Sequence, residues 1–470
     1  MKKYTLPKDF FFGAAMSGPQ TEGAHNKDGR IPSIWDRWSD LEINAFHNNV
    51  GSYVGNDFYN KYERDIKLLK SLNFKSFRTS IQWTRFLDQD GNINPKGAAF
   101  YHKVIDCAIE NGIDIFINLY HFDMPAYLLD RGGWESREVV EAYANYARKA
   151  FEEFGDKIKH WFTFNEPVVE PSQMYLNGRE RGGWYPYISD PKRAIQVQYH
   201  ITLAHCLAVG EYRKLKEAKK IREDGRIGLI NCFAPPYTKE NPSEADLEAV
   251  RMSDGIHNRW WLDVVSKGKL PEDVINTLEE FNLAPEIRPG DKEILALGIV
   301  DWLGFNYYQP QRVQAPSTKV DEKGNPKFAE PYIWKDRKMN VHRGWEIYPK
   351  GIYDFGMQIK KQCPGLEFFI SENGMGVEGE GKYADENGVI QDDYRIEFVK
   401  EHLEWIAKAI KDGANCVGYH YWAAIDNWSW ANAFKNRYGF IRVDLMDGYK
   451  RKKKKSADWI AKVAETLIIE

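Results

Sequence analysis

Short apolar runs rich in aromatic and β-branched residues alternate with longer amphipathic stretches from one end of the chain to the other. Eight of the short runs read as strands: FFFGAAMS (Phe10–Ser17), SFRTSI (Ser76–Ile81), DIFINLYH (Asp114–His121), HWFTFN (His160–Asn165), RIGLINCF (Arg226–Phe233), VDWLGFNYY (Val300–Tyr308), EFFISEN (Glu367–Asn373) and CVGYHYWA (Cys416–Ala423). Between them, apolar residues recur every three or four positions, as in YNKYERDIKLLKSL and EFVKEHLEWIAKAI, the period of a helix with one buried face. Asn94-Pro95, Ser136, Asp190-Pro191 and Pro349 supply the cap or first-turn residues where further helices should begin. Strands that alternate with helices pair in parallel, and eight of them close a barrel. The pattern therefore predicts an α/β fold, a single (β/α)8 TIM barrel over residues 1–470, with no repeat, low-complexity tract or linker to divide it.

In such a barrel the loops after the strands build the functional site. The residues at those ends are chemically useful: Gln20 and Glu22 after the first strand, Arg78 in the second, and His121 and Asp123 at the third. Asn165 and Glu166 end the fourth, Asn306 and Tyr308 the sixth, Glu372 the seventh and Trp422 the eighth, while the fifth offers little. HWFTFNEP breaks off at Glu166 before a proline that has no amide to donate, and EFFISENG delivers Glu372 into Asn-Gly 206 positions later. One strand-end glutamate is readily explained by an arginine partner. Two in matching contexts point to paired carboxylate chemistry. In glycoside hydrolysis one carboxyl protonates the leaving oxygen while the other, ionised, attacks the sugar or activates water. The segments Glu170–Asp190 and Gln309–Trp345, rich in Gly, Pro and aromatic residues, read as long βα loops over the barrel mouth.

A hydrophobic share of 43% suffices for a large core. Lys plus Arg (65) nearly balance Asp plus Glu (68), so no overall charge draws the chain to nucleic acid or an anionic membrane. The basic run Lys450–Lys455 reads as a solvated helix start on the outside of the barrel. Aromatics at 14%, with 16 tryptophans, suit sugars, whose C–H faces stack on rings, and suit a large core equally. Five widely spaced cysteines without a CxxC pair read as small buried residues in a reducing compartment. The start MKKYTLPKDFFFG lacks the apolar region and cleavage site of a secretion signal, and no run reaches the roughly 18 apolar residues of a membrane span. A cytoplasmic enzyme is expected, with a small-molecule substrate, no nucleic-acid or membrane partner, and no cofactor. The histidines lack metal-ligand spacing. Oligomeric state stays open.

The motifs FFFGAAMSGPQTEGA, FRTSIQWTR, LYHFDMP, TFNEP, GFNYY, ISENG and YHYWAAIDNWSWANAFKNRYGF span the chain, and together they resemble glycoside hydrolase family 1, the β-glucosidases and 6-phospho-β-glycosidases. The resemblance implies a retaining mechanism with Glu166 as acid/base and Glu372 as nucleophile. It also implies that Gln20, His121, Asn165 and Trp422 hold the sugar, with Arg78 and Tyr308 beside the nucleophile. A cation and a phenol donor there favour the ionised form of Glu372. Phe122 departs from the family pattern, in which a tryptophan offers an indole donor to the sugar.

Ser429, in DNWSW, bears on the choice of sugar. Plain β-glucosidases of the family carry a glutamate there for the sugar 4- and 6-hydroxyls, whereas the phospho-glycosidases that this chain resembles use serine, with a lysine and a tyrosine shortly after. Serine donates to a phosphate dianion that a carboxylate would repel. Tyr438 has the expected offset of nine, but Lys435 lies at six and Asn436 fills the expected offset of seven. Arg437 is a further candidate. Trp430 resembles the galactosidase or dual-specificity pattern; gluco against galacto preference stays open. The family's phosphorylated substrates arise during uptake by a phosphotransferase system, in keeping with a cytoplasmic site. Two alternatives remain: a β-glucosidase or β-galactosidase of unphosphorylated sugars, and a catalytically silent sugar-phosphate-binding protein.

Overall fold

The computed structural model describes residues 4–470; Lys2 and Lys3 of the N-terminal stretch considered above lie outside the described residues. Eight parallel strands close a barrel in chain order. They are β1 (Phe11–Ala15), β2 (Ser76–Ser80), β3 (Asp114–Tyr120), β4 (His160–Asn165), β5 (Arg226–Cys232), β6 (Trp302–Asn306), β7 (Glu367–Glu372) and β8 (Cys416–Trp422). Each lies within a predicted run; β4 matches its run end to end, and the others are shorter by one or two residues at one or both ends. The outer ring includes α1 (Phe58–Lys70), α2 (Pro95–Glu110), α3 (Arg137–Phe154), α4 (Pro191–Glu217), α5 (Trp260–Lys267), α6 (Lys350–Gln362), α7 (Asp393–Lys411) and α8 (Lys455–Thr466). The four expected helix starts are found, two of them with side-chain caps: the Asn94 side chain accepts the Lys96 amide at 3.2 Å, and Asp190 accepts the amides of Lys192 and Arg193 at 2.9 and 3.1 Å, while Ser136 and Pro349 precede their helices without a side-chain cap.

Side-chain alternation sorts the strands into an outward face against the helices and an inward face that fills the barrel. Outward, Phe164 packs on Tyr143 of α3 and Phe305 on Phe355 of α6. Inward, Phe116, Phe162, Ile230, Trp302 and Phe369 form a separate apolar cluster that plugs the barrel below the site. The register shifts at three points in the barrel, one of them between β7 and β8 at Phe368–Ile370, and two bear on the site. The β4–β5 register shifts between Phe162 and Asn165, and the β6–β7 register shifts between Ile370 and Glu372. An extra residue in one strand of a pair turns the residues beyond it to the other face. These two irregularities fall just where Asn165 and Glu372 must enter the barrel.

The basic run is a correction. Lys450–Lys453 is a strand paired with Ile441–Asp444, and α8 begins only at Lys455. Alternation buries Arg451, which binds Asp65 at 2.6 Å, and leaves Lys450 and Lys452 exposed. Lys454 is fully buried, paired with Asp426 at 3.2 Å and with Glu380. Asp426 in turn accepts the Gly439 amide at 2.8 Å, so Lys454 holds the loop that carries Ser429 and Tyr438. Removing a buried cation strands its partners' charges. Lys454→Met should lose about 3–5 kcal/mol of stability, read from the urea unfolding midpoint; a midpoint within error of the native protein's would refute a structural role.

Candidate active site

The strand ends open into a cavity of about 540 Å³, a size suited to a small glycoside. Glu166 and Glu372 both line it, and they are its only carboxylates among the described residues. The two reach it by different routes. Glu372 is the last residue of β7, turned inward by the register shift. Glu166 lies one residue past β4 with φ +46°, a left-handed conformation that costs a non-glycine residue about 1–2 kcal/mol. Its amide donates to the Ile230 carbonyl at 2.8 Å, which holds that conformation against the neighbouring strand.

A buried hydrogen-bond network fixes both carboxylates. Arg78 Nη1 donates to Glu372 Oε1 and the Tyr308 hydroxyl to Glu372 Oε2, both at 2.6 Å. Arg78 Nη2 and Asn306 Nδ2 donate to Asn165 Oδ1 at 2.6 and 3.0 Å. That orients the Asn165 amide group to donate, through Nδ2, to His121 Nε2 at 3.1 Å. Asn306 Nδ2 also donates to Glu166 Oε1 at 2.9 Å.

The same contacts separate the two groups electrostatically. Burial is the largest influence on both. It pushes Glu166 up to about 8, the charge of Glu372 adds to the rise, and Asn306, Arg78 and the Cys232 thiol oppose it. Glu372 is raised by burial as well; Arg78 and Tyr308, expected to favour its ionised form, and Asn306 counter that rise without reversing it. The direct guanidinium contact belongs to Glu372 alone, so the proton leaves Glu372 first and stays on Glu166. Burial also keeps His121 neutral, well below the usual histidine range.

The other expected residues fall into three groups. Gln20, His121, Tyr308, Trp422, Ser429, Trp430 and Tyr438 line the cavity with the pair. Arg78 and Asn165 sit behind it in the network just described. Glu22 and Asp123 are structural: Glu22 binds Arg85 at 2.7 Å, and Asp123 accepts the Trp83 amide at 2.7 Å. Lys435 is a correction. It is absent from the cavity wall and points to Glu378, 3.7 Å away. Asn436 and Arg437 belong to a short strand paired with Val377–Glu378, which directs Arg437 towards Asp426 at 3.6 Å. Both long loops do reach the cavity, through Gln173 and Trp184 in the first and Gln309, Arg343 and Trp345 in the second.

Arg343, Trp345, Trp184 and Cys232 were not expected. Trp184 and Arg343 lie on irregular segments, where no periodicity says which way a side chain points, and Trp345 opens a three-residue strand too short to show one. Cys232 could have been found, because it ends β5 and so completes the ring of strand ends; its thiol is in hydrogen-bonding reach of Glu166. Phe122, at φ +65°, packs 5.4 Å from Trp430 and 5.5 Å from Trp184, so the wall remains aromatic where the indole is missing. Among the described residues no group of three or more His, Cys, Asp or Glu is arranged to hold a metal ion, and no helix is long and apolar enough to cross a membrane.

Comparison with known proteins follows the same lines. The model of the family described as glycosyl hydrolase family 1 matches residues 2–467. The 6-phospho-beta-glucosidase GmuD of Bacillus subtilis is 46% identical over 468 residues, 99% of this chain and 98% of the relative. A 6-phospho-beta-galactosidase of Streptococcus mutans is 35% identical over 490 residues, covering 99% of both chains. The solved family 1 β-glucosidase from Thermotoga maritima superposes with a TM-score of 0.88 at 31% identity, over 100% of each chain. With strand order, paired glutamates and full-length similarity in agreement, the chain belongs to glycosyl hydrolase family 1.

Proposed function

We propose that the protein hydrolyses 6-phospho-β-glycosides, of the gluco or galacto series, to the sugar 6-phosphate and an alcohol with retention of configuration. The observation that carries this reading is the make-up of one cavity. Its floor holds two carboxyls in contrasting environments, and its wall presents Ser429 and Tyr438 with no third carboxylate to repel a phosphate. The naming of two full-length relatives as 6-phospho-glycosidases supports the same reading.

The chemistry follows from the environments. Ionised Glu372 attacks the anomeric carbon while Glu166 gives its proton to the departing oxygen, leaving a glycosyl ester on Glu372. Esterification removes the charge that helped to raise Glu166, so its pKa falls and it becomes the base that takes a proton from water. Water adds to the anomeric carbon and Glu372 leaves as carboxylate. Two successive displacements at the anomeric carbon give net retention, and the hydrogen bonds of Arg78 and Tyr308 to Glu372 support the ionised form that attacks first. Since phosphorylated sugars do not cross membranes unaided, we place the protein in the cytoplasm, where its five free cysteines would remain reduced.

The test compares kcat/KM for nitrophenyl β-glucoside, β-galactoside and their 6-phosphates. The phosphorylated pair should be preferred, and Ser429→Glu should cost at least ~10-fold on it through one lost donor and added repulsion. Equal or better turnover of the unphosphorylated substrates by the native protein, with Ser429→Glu harmless, would hand the assignment to a neutral-sugar glycosidase.

A further inference from the structure

Lys435 points away from the cavity, which leaves the proposed phosphate site without the cation expected from its own loop. One other cation is present. Arg343 is the only lysine or arginine lining the cavity among the described residues, and it arrives from the loop between β6 and α6. Its guanidinium lies 4.2 Å from the centre of the Trp345 ring, stacked and held in place. The Tyr438 phenol and Ser429 line the same cavity, so the three side chains offer their donors to one space. Arg343 makes no ion pair among the described residues, and its Nε is buried without a hydrogen-bond partner. A buried, unpaired guanidinium N–H is costly unless something accepts from it.

The loop is built to hold this arginine in place. The Arg343 and Gly344 amides donate to the Asn340 carbonyl at 3.2 and 2.8 Å, closing a turn. Asn340 Nδ2 ties that turn to the Gly376 carbonyl at 3.1 Å. Asn436 Nδ2 donates to the carbonyl of His342, the residue before Arg343, at 3.2 Å. Asn436 is the residue that stands at the offset where a lysine was expected. It brings no charge of its own but fastens the segment that does. At Gly376 a methyl group would come 2.5 Å from the Tyr438 ring, so the close approach of the two loops depends on glycine there.

We propose that Arg343 is the specificity-determining cation of the sugar-phosphate site, binding the phosphate dianion together with Ser429 and Tyr438, and that Asn436 is its positioning residue. The inference rests on the 6-phospho-glycosidase reading above. It moves the charge that reads the phosphate from the loop after β8 to the loop after β6. A planar guanidinium offers paired N–H donors matched to phosphate oxygens, and the Trp345 stack keeps it oriented before substrate arrives.

The experiment compares the full-length native protein with Arg343→Met, Arg343→Lys, Lys435→Met and Asn436→Ala on nitrophenyl 6-phospho-β-glucoside and nitrophenyl β-glucoside. Arg343→Met should raise KM for the phosphorylated substrate roughly 10–100-fold, the loss of a charge-assisted pair, with a much smaller change in kcat. Arg343→Lys, which keeps charge but not the fork, should fall between. Lys435→Met should stay within about 2-fold of native. Asn436→Ala should raise KM several-fold at near-native kcat. Binding of glucose 6-phosphate by calorimetry should weaken in the same order. If the native protein prefers the phosphorylated substrate and the KM loss appears in Lys435→Met while Arg343→Met is silent, the Arg343 assignment fails and the function stands. If the native protein shows no preference for the phosphate, both fail.

Discussion

Glu372→Gln should lower kcat/KM for every glycoside tested by at least about 10⁴-fold, because glutamine lacks the charge that forms the covalent bond. The surroundings of Glu372 give this prediction its strength. Its two oxygens already accept hydrogen bonds from Arg78 and Tyr308 at 2.6 Å, so the side chain is held without rotational freedom at the cavity floor. Attack therefore needs little reorganisation once the sugar binds. Glutamine is close in shape but leaves the guanidinium facing a neutral amide. A second variant separates the loss of the nucleophile from the loss of the network. Glu372→Gly opens space on the same face of the sugar, where added azide can attack, so the expected product is the α-glycosyl azide by a single inversion. Unchanged hydrolysis by Glu372→Gln would remove Glu372 from the reaction and revive the sugar-phosphate-binding alternative, while an azide product of β configuration would show that Glu372 is not the nucleophile.

Glu166→Gln should cost roughly 10²–10⁴-fold on substrates with poor leaving groups, the range of a positioned general acid, and much less on nitrophenyl glycosides in the first step, where the leaving group needs no proton. The pH profile is a sharper test. Activity needs Glu166 protonated, and its pKa is about 8, so kcat/KM for alkyl glycosides should fall as pH rises through about 8. In Glu166→Gln that alkaline limb should be missing. Folding stability carries the same signature with an informative sign. Folding raises the Glu166 pKa from 4.5 to about 8, so the folded state binds more protons between those values than the unfolded state does. The favourable contribution is complete below about pH 4.5 and is lost as pH rises through about 8. A neutral glutamine escapes that loss. Above pH 8 Glu166→Gln should melt a few degrees higher than the native protein while being less active, a separation of stability from activity at one residue. Identical melting temperatures for the two proteins from pH 6 to pH 9 would show that Glu166 is not desolvated as described.

Much of this was readable in the chain. The eight strands are local objects, made by short β-favouring runs between helical stretches, and their boundaries in the structure differ from the predicted ones by only a few residues. Glu166 and Glu372 were readable because each ends an apolar run abruptly, and strand ends converge once the barrel closes. Cys232 obeys the same rule but was passed over as an ordinary buried cysteine. The basic run Lys450–Lys455 was misread because charge alone suggested solvent, whereas strand alternation buries Arg451 and an ion-pair cluster buries Lys454.

The sequence by itself determined the barrel, the glutamate pair and the serine at position 429, since each depends on local pattern or on a residue's own chemistry. Only the tertiary structure decided how the pair differs and which cation lines the cavity. The register shifts that turn Asn165 and Glu372 inward arise between strands, and the placement of Arg78 on Glu372 joins residues 294 positions apart. Lys435 was expected to serve from its place in a motif, yet strand pairing nearby sends it to Glu378, while Arg343 comes in from another loop through the hold of Asn436. Side-chain direction on an irregular loop depends on what the loop is tied to, and those ties exist only in three dimensions.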